Sequence, residues 1–245
     1  MKWQDTKNEK GKYENEEDNS GIVNMKNYKK SWKRTRRKPI SGKQIYEWLH
    51  VKLADRFDEM TNLSVKLREK LAEEYDIFPV QMAERQQSKL DGTNKFLFRL
   101  YDGNMVESVL MRYKHGNSVC ISSQAGCRMG CVFCAFDDRG IKTESVCIRN
   151  ARSDLPDPEN YRREGFQRRY HGTGEPLDNY NNFLKFIHIL TDEHGLNISQ
   201  RNVTVSTCGI VPKILELAEE RLQITLALLF TDLRRKEKET DACRK

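Results

Sequence analysis

With 245 residues the chain has room for one large domain or for two small ones, each with its own core. Charged residues make up 32% of it and the apolar set AVILMFWYC 37%, so part of the chain falls short of the apolar content of a packed domain. No apolar run approaches the roughly 20 residues that span a bilayer, and Met1 to Ser20 carry no apolar core of a secretory signal. The expectation is a cytoplasmic protein without membrane contact. The net charge of +7 is unevenly laid out: residues 1–42 carry 12 Lys/Arg against 6 Asp/Glu, residues 136–171 carry 8 against 7, and residues 229–245 carry 6 against 4. The remaining 150 residues, which hold the clean periodicity, come to −2, so basicity by itself is a poor argument for nucleic acid.

Residues 1–42 read as a polar, basic segment that is disordered or out of frame. From Gly42 to Ile77 the pattern is helical. Ile45, Trp48 and Leu49 share a face, as do Leu63, Leu67 and Leu71, with Thr61 or Asn62 placed to cap the second run. Lys95 to Met111 alternates around Asp102-Gly103, a strong short-range hairpin signal. Residues 43–115 therefore form a small helical module followed by a small β-sheet. A strand over Ser118–Ser122 leads into a loop holding Cys127, Cys131 and Cys134. After Gly172 come an amphipathic helix (Tyr180 to Thr191), a strand (Asn202 to Thr207), a helix (Pro212 to Glu220) and a strand (Leu222 to Leu228). Such alternation implies an α/β fold, a parallel sheet or barrel with its helices outside.

Seven cysteines, an odd number, argue against a disulfide framework. Cys127, Cys131 and Cys134 form C-x3-C-x2-C, and Gly126 and Gly130 let the backbone turn tightly enough for three thiolates to meet at one centre. A structural zinc site is the plainer alternative, but it takes four ligands in two pairs and no second pair lies nearby. Cys120 and Cys208 read as small apolar side chains at strand ends. Gly174-Glu175-Pro176 is an ordinary turn on composition alone, and Glu107 an exposed hairpin glutamate.

The cysteine spacing resembles the radical SAM signature, in which three cysteines hold a 4Fe-4S cluster whose fourth iron takes S-adenosyl-L-methionine. The wider text is similar to the RlmN family of dual-specificity RNA methyltransferases. The matching stretches are Gln44 to His50, Ser88 to Thr93, Met111 to Gly116, Gly174 to Asn179 and Val205 to Pro212. The resemblance covers about residues 42–135 and 172–228. It implies a partial radical SAM (β/α) barrel over residues 116–245, preceded by the helical module and β-hairpin. It also implies cluster ligation by Cys127, Cys131 and Cys134, S-adenosylmethionine contacts at Gly174, Glu175 and Ser206, and a proton acceptor at Glu107. The activity implied is methylation of C2 of adenine in 23S rRNA and tRNA by a monomer served by an electron donor such as flavodoxin or ferredoxin. The alternatives are C8-adenine methylation within the same superfamily and a non-catalytic RNA-binding fragment.

The resemblance stops at Phe136 and resumes in register at Gly172. Phe136 to Ser145 can be coded so that a reading one nucleotide later gives S-T-I-G-G-L-K-R-N-L, the family text at that point. Arg169-Tyr170-His171 likewise shifts to V-I-M. Residues 136–171 therefore read as the right gene in the wrong frame, without the periodicity of a packed element. Residues 229–245 behave the same way, since Glu239 to Arg244 shift to codons allowing R-L-M-P-V. On this reading the first barrel helix and the apolar run of the second strand are lost, and Leu229-Phe230-Thr231 replaces a Ser-x-His cofactor contact. The chain ends before the cysteine that the family methylates, so inactivity is the expectation.

Overall fold

A computed structural model describes residues 6–7, 13–14, 39–77, 80–100, 102–114, 116–131, 134, 167–170 and 172–228. Strands β1 (Thr6–Lys7) and β2 (Tyr13–Glu14) pair antiparallel in a two-stranded ribbon. Helix α1 (Pro39–His50) starts at a proline, where the missing N–H would have had no helical partner, and so begins inside the segment read as 1–42. After a single 3-10 turn at Phe57–Glu59 comes α2 (Val65–Glu74). Its N-cap is Ser64, not Thr61 or Asn62. The Asn62 side chain is engaged elsewhere, its Oδ1 accepting from Trp48 Nε1 at 2.6 Å. Ile45, Ala54, Met60, Leu63 and Leu71 close a small core beneath Trp48, Leu49 and Leu67. Tyr46, one residue on, points the other way, into the main core, and meets the His50 ring edge-on at 4.6 Å.

The main sheet has seven strands in chain order. The first four, β3 (Gln81–Gln87), β4 (Asn94–Arg99), β5 (Met105–Tyr113) and β6 (Gly116–Ile121), are antiparallel. The β4–β5 turn is the expected one: Gly103 has φ +82, and Asn104 N–H and Nδ2 donate to the Asp102 carboxylate at 2.9 and 3.0 Å. Strand β3 is a finding, since its residues are exposed at every position and offer no alternation to read. Its order comes from the ladder with β4.

From β6 onward the sheet is parallel: β7 (Gln167–Tyr170), β8 (Val203–Thr207) and β9 (Thr225–Leu228) follow side by side. Strand β7 departs from the expectation that residues 136–171 contribute no regular element. A strand stands there, although Gln-Arg-Arg-Tyr has none of the apolar run that a parallel strand between two others usually carries. The two neighbours supply its backbone partners. The rest of the segment read as out of frame, with the expected loss of the first barrel helix, and residues 229–245 lie outside the described residues.

Helix α3 (Tyr180–Thr191) and helix α4 (Val211–Glu219) link the last strands and pack on one face of the sheet. Phe183, Phe186, Ile187 and Leu190 of α3, all essentially inaccessible, form a single core with Val119, Ile121, Val203 and Val205. Each such side chain contributes roughly 2 kcal/mol by leaving water. Among the described residues no helix is long and apolar enough to cross a membrane.

Candidate cofactor site

Two loops leave the carboxyl ends of neighbouring parallel strands, where open α/β sheets place their ligands. One follows β6 and carries the cysteines; the other follows β7 and carries Gly174 to Asn179. They are interlocked. Gly172 N–H donates to the Ile121 carbonyl at 3.1 Å, Thr173 N–H to Ser122 Oγ at 3.0 Å, and Ser123 and Gln124 N–H both donate to the Thr173 carbonyl. Glu175 N–H donates to Gln124 Oε1 at 2.9 Å and Asn179 Nδ2 to the Ser123 carbonyl at 2.9 Å. Glycine is required at the crossing: Gly174 has φ +102, and a Cβ there would lie 2.6 Å from Ser123 Oγ and 2.7 Å from Gln124 N. Sequence reading marked Gly174 but passed over Gln124, a fully buried amide that bridges the two loops.

Glu175 is buried and its carboxylate is well supplied with donors. Oε1 accepts from Leu177 N–H at 3.0 Å and Thr207 Oγ1 at 2.6 Å, and Oε2 from Cys208 N–H at 2.8 Å. The acid thus ties the β7 loop to the end of β8. Burial, then the Glu175 charge and its hydrogen bond, push the Cys208 thiol up to about 12, so Cys208 stays protonated beside it.

The loop that bears the cysteines turns through Gly126 (φ +91) and Gly130 (φ +59), and Cys134 N–H closes onto the Cys131 carbonyl at 2.9 Å. Cys127 is half-buried and Cys134 exposed, both as free thiols. Burial chiefly, with the charges of Glu175, Cys134 and Asp178, raises the Cys127 thiol against the opposing Met129 N–H. A thiolate there calls for a cationic partner, which suits an iron ligand. Cys131, unlike these two, is disulfide-bonded. Among the described residues no three His, Cys, Asp or Glu side chains converge as a metal site. Three thiols on one short loop are donors of the type that holds iron, and Cys131 must be reduced to serve as one.

Ladder register settles the remaining candidates. Val109 pairs with Cys120, Cys120 with Arg169, Arg169 with Thr204, and Ser206 with Ala227. Because paired residues share a face and alternate residues return to it, Glu107, Val109, Cys120, Thr204 and Ser206 all lie on the sheet face opposite the helices. Glu107 and Ser206 are thus brought to one surface, several strands apart. The Glu107 carboxylate is there engaged by Lys95 Nζ at 2.7 Å, while its backbone carbonyl accepts from Ser122 Oγ at 2.7 Å.

Comparison with known proteins gives this geometry a context. Residues 23–77 match the family described as the ribosomal RNA large subunit methyltransferase N-terminal domain. A protein of Lachnoclostridium phytofermentans named "Probable dual-specificity RNA methyltransferase RlmN" is 55% identical over 212 residues, 84% of this chain and 58% of its own length. Proteins of the same name from Lachnospira eligens and Clostridium botulinum (strain Alaska E43 / Type E3) are 54% and 48% identical, over 78% and 80% of this chain and 55% and 57% of their own lengths. The crystal structure of a radical SAM methyltransferase from Sphaerobacter thermophilus superposes with a TM-score of 0.73 at 32% identity, over 85% of this chain and 62% of that one. The fold is therefore a partial radical SAM fold, and the chain is a homologue of the RlmN methyltransferases that spans a little over half their length.

Proposed function

We propose that this chain, as a homologue of the RlmN methyltransferases, carries the cofactor-binding half of an enzyme that methylates C2 of adenine in 23S rRNA and tRNA. The observation that supports the reading is the interlock between the three-cysteine loop and the Gly174–Glu175 loop at the ends of parallel strands. In this reading Cys127, Cys131 and Cys134, once reduced, hold a 4Fe-4S cluster, which when bound supplies the electron that cleaves S-adenosylmethionine. Gly174, whose missing Cβ lets it lie against Ser123 and Gln124 at the crossing of the two loops, offers its backbone to the cofactor from that crossing. Glu175 offers its Oε2, shared among the described residues with Cys208, to a cationic group such as an ammonium. Ser206 presents a hydroxyl to the face opposite the helices, and Glu107 on that face accepts a proton from the substrate once Lys95 yields. The electron comes from a flavodoxin or ferredoxin, and the chain acts as a monomer.

Because residues 136–171 and 229–245 read out of frame, the same proposal has this chain bind its cofactors without completing methyl transfer. The test incubates the anaerobically reconstituted chain with labelled S-adenosylmethionine, reductant and 23S rRNA. Dialysis is expected to show S-adenosylmethionine retained by the native chain and lost in Gly174→Val, with no 2-methyladenosine in the digested RNA. Appearance of 2-methyladenosine overturns the inactivity, 8-methyladenosine moves the chain to C8 chemistry, and RNA retention without S-adenosylmethionine binding leaves an RNA-binding fragment.

A further inference from the structure

Beyond the cysteines themselves, the loop that bears them has a tether. Between Gly126 and Gly130, the two positions with positive φ, stand Arg128 and Met129. Met129 is 3% exposed and anchors the turn from below. Arg128 anchors it from the side: Nε and Nη2 donate to Asp178 Oδ1 at 3.1 and 2.5 Å. Asp178 is held in turn, its N–H donating to the Glu175 carbonyl at 3.1 Å and its Oδ2 accepting from Gln124 Nε2 at 3.4 Å. Its side chain is 5% exposed, whereas that of Arg128 is 55% exposed. A guanidinium thus reaches in from solvent to meet a carboxylate buried at the base of the neighbouring loop.

We infer that the Arg128–Asp178 ion pair positions the cysteine loop for ligation, with both members acting as positioning residues that need not touch the cluster. The two flanking glycines leave the loop backbone free to swing, so a fixed point between them decides where Cys127 sits. Charge-assisted bonds to a desolvated carboxylate are the stronger kind, and among the described residues the buried carboxylate deprived of its cation retains only the long bond from Gln124. The inference rests on the cluster reading above and is tested so that the two can fail separately.

The full chain is reduced anaerobically and alkylated with N-ethylmaleimide in a time course resolved by peptide mass spectrometry; ferrous iron and sulfide uptake is measured in parallel on unalkylated aliquots of the same preparations. Arg128→Met and Asp178→Ala are expected to speed alkylation of Cys127 about fivefold while leaving Cys120 and Cys208 unchanged, and to weaken iron uptake in step. Arg128→Lys keeps most of the protection, and the exchange Arg128→Asp with Asp178→Arg recovers part of it. An unchanged Cys127 rate overturns the inference, and so does an equal rise at Cys120 and Cys208, which marks general loosening. Native chain that takes up no iron sinks the cluster reading, while the Cys127 rates still decide the tether.

Discussion

At the scale of single residues, Glu175 shows how one acid can organise a site. Its carboxylate accepts from Leu177 N–H, Thr207 Oγ1 and Cys208 N–H, so a neutral amide in its place turns one of these contacts into donor against donor. Glu175→Gln is expected to lower stability by about 1–3 kcal/mol, read as a shift of the urea midpoint at unchanged slope. An unshifted midpoint would mean that the donors find other acceptors. Cys208 gives a pH prediction. Its folded pKa of about 12 lies above the ordinary 9.0, so the folded chain keeps the proton that the unfolded chain gives up. The stabilisation is complete below about pH 9 and is lost as pH rises toward 12. Iodoacetamide at pH 9 is accordingly expected to label exposed Cys134 and spare Cys208. Equal labelling contradicts the assignment.

At the scale of elements, the parallel half of the sheet depends on the helix face that covers it. Phe183 is fully buried between α3 and the strands, so Phe183→Ala is expected to cost 3–5 kcal/mol, roughly, and to leave little folded chain at 37 °C by circular dichroism. Strand β7 is the weak member. If Gly172 and what precedes it are re-coded so that residues 136–171 read one nucleotide later, an apolar strand fills the place between β6 and β8, and the melting temperature is expected to rise by roughly 5 °C or more. A stop codon within that shifted reading, or no rise in melting temperature, contradicts the frame account. Elements with strong periodicity or a turn signature were legible in the sequence: α3 matches to the residue, and the hairpin at Asp102-Gly103 stands where its turn residues put it. Strands β3 and β7 were not, because neither has an alternating or continuous apolar pattern and each is made by its neighbours. The site was half legible. The cysteine spacing and Gly174 stand out along the chain, whereas Gln124, Asp178 and the buried Glu175 carboxylate acquire their meaning only from contacts about fifty or thirty residues away.

At the scale of the whole molecule, the helical module and the sheet are joined through α1, which sends Ile45 into the small core and Tyr46 into the large one. Burial, with the nearby Asp192, pushes the Tyr46 phenol well above its usual range and keeps it neutral. The module that matches the methyltransferase N-terminal domain is thereby fixed to the body that carries the cysteine loop. On the function proposed above, this site assembles a cluster on Cys127, Cys131 and Cys134 even though β7 lacks an apolar run. Iron and acid-labile sulfide are counted after anaerobic reduction and reconstitution of the full chain and of three single Cys→Ala variants at these positions. About four iron and four sulfide are expected per native chain, with a large loss in each variant. Native chain that retains no iron, or a Cys131→Ala variant that retains as much as native, would contradict that proposal.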